Sequence, residues 1–239
     1  MKAVVDVHTH TIASGHAYNT LMENVKEASE KGIKVMGVSD HGPEMPGGPH
    51  LFYFANLEDI PRKLYGVKIL RGCEANIMDY DGNLDIPDRI ANRLDYMIAS
   101  LHDVCIESGT VEENTRAITK AMENKNVMII GHSGNPRFPI NAEEIVKKAK
   151  EEDKIIELNN SSFVSSRKGS DKNCYEIAKL CKQYGVKVMF GSDAHYCYNI
   201  GEFSQVEKLV KEIEMPEELI MNYDEKKFTD YLRTKGKNV

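Results

Sequence analysis

A chain of 239 residues is long enough for one large domain with a sizeable core, or for two small ones. Its 31 lysines and arginines against 37 aspartates and glutamates leave a net charge of −6, which excludes a global basic field for nucleic acid or anionic membrane but not a local basic groove. No apolar stretch is long enough to span a bilayer and Met1-Lys2-Ala3 opens no signal pattern, so a cytoplasmic protein is expected.

In chain order, Val4 to Val7 reads as a first strand, running into His8, His10 and, after a small-residue loop, His16. Thr20-Leu21-Met22-Glu23 is a capping box that opens a helix ended by Gly32. Val35 to Ser39 is a second strand, followed by Asp40-His41. Three prolines and three glycines within residues 42–49 make a loop, and Phe52, Tyr53 and Phe54 behind it give that loop a lid or substrate-facing reading beside the ordinary one of an anchored surface connection. A short helix is expected over Leu57 to Tyr65. Val67 to Leu70 is a third strand leading to Gly72-Cys73-Glu74, and Asp81-Gly82 predicts a tight hairpin. Pro87 starts a short helix.

Tyr96 to Ser100 is a fourth strand, followed by His102-Asp103, and Thr110-Val111-Glu112-Glu113 caps the next helix. Val127 to Ile130 precedes Gly131-His132, and Asn141 begins a further helix. Ile155 to Leu158 leads to Asn159-Asn160-Ser161-Ser162. The polar loop 165–170 precedes a helix from about Asp171 to Tyr184. Val186 to Phe190 is a seventh strand, followed by Gly191-Ser192-Asp193-Ala194-His195. Helices near Phe203–Ile213 and Glu225–Thr234 complete the chain. The five cysteines are odd in number and lack CxxC spacing, so reduced thiols are expected, with Cys174 and Cys181 buried on a helix.

Strand and helix alternate about seven times without a linker, which predicts a parallel sheet with crossover helices in one domain over residues 1–239. A closed or nearly closed barrel is favoured over an open sheet, because a barrel brings the loop after every strand to one face.

Those loops carry the chemistry. His8 and His10 share a face at the end of an extended segment. His41, Glu74, His102, His132, Asp193 and His195 follow other strands, and His50 alone of the eight histidines lies elsewhere. A lone His-x-His is a weak signal, and any one of these imidazoles has a bland reading as a cap or a satisfied core group. Together they would crowd seven imidazoles and two carboxylates into one pocket, which a cation resolves. Nine ligands exceed what one zinc takes, so two or three ions follow, with Glu74 able to bridge two. Mostly imidazole ligation favours zinc over manganese or iron.

The series Asp6-Val7-His8-Thr9-His10, Ser39-Asp40-His41-Gly42, Gly72-Cys73-Glu74, His102, Gly131-His132 and Gly191-Ser192-Asp193-Ala194-His195 resembles the polymerase-and-histidinol-phosphatase (PHP) family. Asn159-Asn160-Ser161-Ser162-Phe163 with Ser166-Arg167-Lys168-Gly169-Ser170 resembles its stand-alone YcdX-type bacterial phosphatases. The resemblance implies a distorted seven-stranded, TIM-like (βα)7 barrel with a trinuclear zinc site. It assigns His8, His10, Glu74 and Asp193 to one metal and His16, His41 and His195 to a second. His102 and His132, with Glu74 as bridge, take the third. It also implies a homo-oligomer, a trimer.

The expected chemistry is hydrolysis of a small phosphate monoester. Metals lower the pKa of a bound water to supply hydroxide, and Glu74 and Asp193 hold the catalytic ions. Three divalent ions against two ligand carboxylates leave a formal excess of about +4, which makes a cationic pocket on an acidic protein. Arg167 and Lys168 are candidates to grip the phosphate, with Arg137 behind them. Asp40 and Asp103 could orient ligand imidazoles or simply cap loops. Histidinol-phosphate phosphatase is the runner-up. A nuclease or 3′-phosphatase ranks lower, because no groove of stacking aromatics and cations stands out. A non-catalytic metal-stabilised binding module is the alternative outside enzymes.

Overall fold

The computed structural model describes residues 1–164 and 167–239; Ser165 and Ser166 of the expected polar loop lie outside the described residues. Eight strands form the sheet: β1 Val5–Asp6, β2 Val35–Val38, β3 Lys63–Leu64, β4 Val67–Asn76, β5 Tyr96–Ser100, β6 Val127–Ile130, β7 Ile155–Asn159 and β8 Val188–Gly191. Seven of them run parallel in the order β1-β2-β4-β5-β6-β7-β8, and β3 adds antiparallel to β4. The parallel strands are Val-, Ile- and Met-rich and buried on both faces, as strands covered by crossover helices must be. The result is a nearly closed, TIM-like barrel.

One buried polar residue ties the closing seam at its lower end. β1 and β8 approach at the bridge Thr9–Ala194 but are not paired as neighbouring strands. Asn222 fills that seam. Its Nδ2 donates to Val5 O (2.8 Å) and Phe190 O (2.9 Å), and its Oδ1 accepts from Phe190 N (2.7 Å). It is fully buried, so removing its amide leaves three backbone groups without partners or water. Asn222→Ala is expected to cost about 3–5 kcal/mol in urea unfolding; a loss under about 1 kcal/mol would show that the seam is held by other contacts.

Period two along a strand explains how the interior changes character with height. Val35, Leu70, Tyr96, Ile155 and Met189 belong to one buried apolar cluster, which Phe228 and Leu232 of the last helix, Glu225–Thr234, also join. Stepping up the same faces by two and four residues gives Ser39, Glu74, Ser100, Glu157 and Asp193. The barrel therefore has an apolar floor and a polar mouth at the C-terminal ends of its strands.

The capping boxes form as expected, Thr20 with Glu23 before Leu21–Lys31 and Thr110 with Glu113 before Val111–Met122. Of the helix expected over Leu57–Tyr65 only a 3-10 turn, Leu57–Asp59, forms. Pro61 interrupts it, and the helix lies earlier, at Leu51–Asn56, capped by His50, whose Nδ1 accepts from Phe52 N. Lys63–Leu64 instead turns back onto Val67–Lys68. The Asp81-Gly82 hairpin is reduced to a single bridge, Ile77–Leu84. Its turn is organised by Asp79, whose Oδ1 accepts from Asp81 N and Asn83 N. β4 continues six residues past Leu70, because Gly72 leaves room for the Tyr96 ring; a Cβ there would lie 2.3 Å from Tyr96 Cζ. Glu74 thus sits on a strand rather than in the loop after it. Among the described residues the cysteines are unpaired, Cys174 and Cys181 being buried on the helix Ser170–Tyr184. No described helix is long and apolar enough to cross a membrane.

Candidate metal centre

Glu74 is the hub of the mouth. It is fully buried, and five imidazoles reach its two oxygens. His41 Nδ1 lies 2.8 Å, His8 Nε2 3.3 Å and His10 Nε2 3.5 Å from Oε2. His132 Nε2 lies 2.9 Å and His102 Nε2 3.3 Å from Oε1. Asp193 makes a second focus, its Oδ1 3.3 Å from His10 Nε2, 3.5 Å from His8 Nε2 and 3.6 Å from His195 Nδ1. His16 is exposed at the rim, its ring centroid 4.8 Å from that of His195 and 5.0 Å from that of His41. All nine residues expected from the sequence are therefore brought together. The donor atoms of seven of them fall into the mutually close groups His10-His41-His195, His8-His10-Asp193 and His41-Glu74-His102, which His16 and His132 do not join. Local backbone strain helps to aim two of them: His132 and Asp193 have φ of 21° and 53°, which side-chain-bearing residues rarely adopt.

The rear nitrogens of four of these rings are already committed. His8 Nδ1 lies 2.5 Å from Glu157 Oε1 and His102 Nδ1 2.7 Å from Asn76 Oδ1. His195 Nδ1 lies 3.0 Å from the Asp193 carbonyl. Ser14 Oγ donates to Asp40 Oδ1 (2.7 Å), so it accepts from His10 Nδ1 at 3.1 Å. These contacts place a proton at Nδ1 of each of these four rings and leave Nε2 as the nitrogen free to face a metal.

In front, polar atoms stand without partners. His8 Nε2, His10 Nε2, His41 Nδ1, His102 Nε2, Glu74 Oε2 and Asp193 Oδ1 are buried and make no well-aligned hydrogen bond, although His41 Nδ1 and Glu74 Oε2 lie 2.8 Å apart. Buried polar atoms are normally satisfied, and here six unsatisfied ones converge on a single space. The donor set therefore fits divalent cations: imidazole nitrogens and carboxylate oxygens, buried, oriented from behind and lacking partners in front.

Electrostatics agree. Burial alone would raise the Glu74 and Asp193 carboxyls, but His8 and its neighbours, with Arg167 at Asp193, hold both well below the usual range. Burial lowers His10, His16, His132 and His102, the last to about 4, which keeps these rings neutral and able to ligate. His8 is the exception: burial opposes its charge, but Glu157, Glu74 and Asp193 outweigh that and raise it well above its ordinary value.

Glu157 was not a sequence candidate. It sits within the apolar run Ile155-Ile156-Glu157-Leu158 and is buried, with Oε1 on His8 and Oε2 accepting from His132 N (2.7 Å) and Asn159 Nδ2 (3.2 Å). A charge inside a buried strand was the available signal. Gly191 makes its space, since a Cβ there would lie 1.9 Å from Glu157 Oε1. Glu157→Gln is expected to weaken zinc binding about 10–100-fold in chelator competition; unchanged affinity would mean that His8 is oriented without it.

The other expectations divide. Asp40 reaches an imidazole only through Ser14 and also accepts from Thr11 N, Thr11 Oγ1 and Tyr53 OH, the last supplied from behind the proline-glycine loop. Among the described residues Asp103 bonds no imidazole; it pairs with Arg137 Nε at 2.9 Å on the surface. Arg167 places both terminal nitrogens 3.1 Å from Asp193 Oδ2, whereas Lys168 is exposed. Both cations line a groove of about 610 Å³ beside the centre, with His102, Asp103, Asn135 and Arg137.

Residues 6–161 match the PHP domain family. A "Probable phosphatase" of Clostridium acetobutylicum is 57% identical over 237 residues, covering 99% of this chain and 97% of its own. One from Clostridium novyi is 59% identical over 237 residues with the same coverage. Among solved structures, the histidinol phosphate phosphatase of Lactococcus lactis, complexed with zinc, L-histidinol and phosphate, superposes with a TM-score of 0.60 over 90% of this chain and 95% of that one. Its 16% identity speaks to the fold alone. The chain belongs to the PHP domain family.

Proposed function

We propose that this PHP-family phosphatase hydrolyses phosphate monoesters at a centre of three zinc ions. His8, His10, His16, His41, Glu74, His102, His132, Asp193 and His195 would hold the ions. The carrying observation is the set of six buried donor atoms, four imidazole nitrogens and two carboxylate oxygens, that face one space without hydrogen-bond partners, three of the rings (His8, His10 and His102) being held from behind by their Nδ1. When bound, divalent ions there supply charge for the phosphate oxygens and acidify the attacking water. The chain's own part is to fix that geometry. Glu74 spans the cluster with both oxygens, Glu157 and Asn76 lock His8 and His102, and Arg167 stands beside Asp193 as a permanent cation for an arriving phosphate oxygen. Lys168 offers a second cation further out. Glu157 changes the charge sum: three carboxylates against three divalent ions leave an excess of about +3 rather than +4, which still favours a phosphate dianion.

The test is hydrolysis of an aryl phosphate by zinc-loaded protein. Saturable turnover is expected, and it should be absent from His10→Ala and Glu74→Ala. Turnover that survives both changes would overturn the metal mechanism. A panel that includes L-histidinol phosphate decides whether that ester is a substrate. Arg167→Ala is expected to raise KM about tenfold and to lower kcat about 10–100-fold, with zinc content unchanged by elemental analysis. Loss of zinc from that variant would instead mean that Arg167 acts by holding Asp193.

A further inference from the structure

The groove beside the centre carries more cations than one phosphate needs. Arg137, Arg167 and Lys168 face it against the single carboxylate of Asp103, on a chain whose net charge is −6. The three cations are not equivalent. Arg167 is largely buried and committed to Asp193 at the edge of the metal centre. Its backbone turns through φ of 52°, with Ser170 N and Oγ donating to its carbonyl at 3.1 and 2.6 Å. That turn sends Arg167 inward and leaves Lys168 exposed on the groove wall. Across the groove Arg137 is held by its Nε to Asp103 Oδ2, and its backbone N–H donates to Asn135 Oδ1 at 3.1 Å. Its two terminal nitrogens have no partner among the described residues, so the bidentate edge of the guanidinium stays open.

The inner end of the groove is His102 and Arg167, which touch Glu74 and Asp193; the outer part presents Arg137 and Lys168. A phosphate at the centre would already meet the metal charge and Arg167. We infer that the outer cations bind a second anionic group, a carboxylate or another phosphate, on the same small substrate. The inference rests on the phosphoesterase reading above and specifies its substrate class: phosphate esters whose leaving alcohol carries its own negative charge.

Two readouts test it. In the first, zinc-loaded protein is offered butyl phosphate, phosphorylated hydroxybutyrate and butanediol bisphosphate. The kcat/KM of at least one doubly anionic ester is expected to exceed that of butyl phosphate ~10-fold or more, and the ratio should fall below about 2 in the Arg137→Ala/Lys168→Ala double variant. Which of the two esters gains identifies the second group as carboxylate or phosphate. In the second, butylphosphonate, phosphonobutyrate and butane bisphosphonate are titrated calorimetrically, which needs no turnover; the same preference, and its loss in the double variant, is expected. Arg137→Glu should reverse the preference if the effect is one of charge. Equal phosphonate affinities in the wild type, or a preference that persists in the double variant, overturn the assignment of the groove. A phosphonate preference without hydrolysis of any ester overturns the phosphatase mechanism and leaves the groove's selectivity supported.

Discussion

Glu74→Gln is expected to lower kcat/KM about a thousandfold or more, because the change alters one side chain but disorganises the whole centre. The carboxylate is fully buried and spans five imidazoles, with His8, His10 and His41 at one oxygen and His102 and His132 at the other. An amide of the same shape removes a full negative charge and places an NH2 donor where an acceptor stood. Either orientation of that amide points hydrogens at nitrogens whose lone pairs should meet cations. The side chain still fits sterically, so the fold is retained and the loss can be read as chemistry. Steady-state kinetics on an aryl phosphate with zinc in excess, alongside circular dichroism, makes the measurement. Activity within tenfold of wild type would show that Glu74 is only a spectator of the cluster.

Metal removal should have the second-largest effect, and it falls on stability. Without cations, six buried polar atoms face one another unbonded, each costing about 1–3 kcal/mol in such a position. These terms do not simply add, because the atoms share one space. A ligand present at a thousand times its Kd contributes about 4 kcal/mol, and about 1 kcal/mol shifts Tm by 2–4 °C in a protein of this size. Zinc-loaded protein is therefore expected to melt about 8–16 °C above chelator-treated protein in calorimetry. A difference under about 2 °C would mean that the cluster is satisfied without metal.

Much of the architecture is legible in the sequence because its signals are local. The capping boxes at Thr20 and Thr110 form within three residues, and the buried strands read as short Val/Ile/Met runs bounded by turns. The histidines are legible for a related reason: an imidazole directly after an apolar run is placed by the strand itself. What was missed depends on partners far along the chain. Asn222 looks like a chance polar residue, but its bonds go to Val5 and Phe190, 217 and 32 residues away. Glu157 reads as part of a strand until His8, 149 residues away, is folded against it. Asp103 follows His102 directly, yet the backbone turns it outward to Arg137, so adjacency in sequence gave the wrong partner. Pro61 is a local signal too, and it ends helix before Lys63.

The most direct test of the account is a crystal of zinc-loaded protein measured at the zinc absorption edge. Three anomalous peaks are predicted, all within the cluster formed by Glu74, Asp193 and the seven histidines that surround them. A single peak, peaks confined to surface residues, or an empty cluster in protein grown with excess zinc would contradict it.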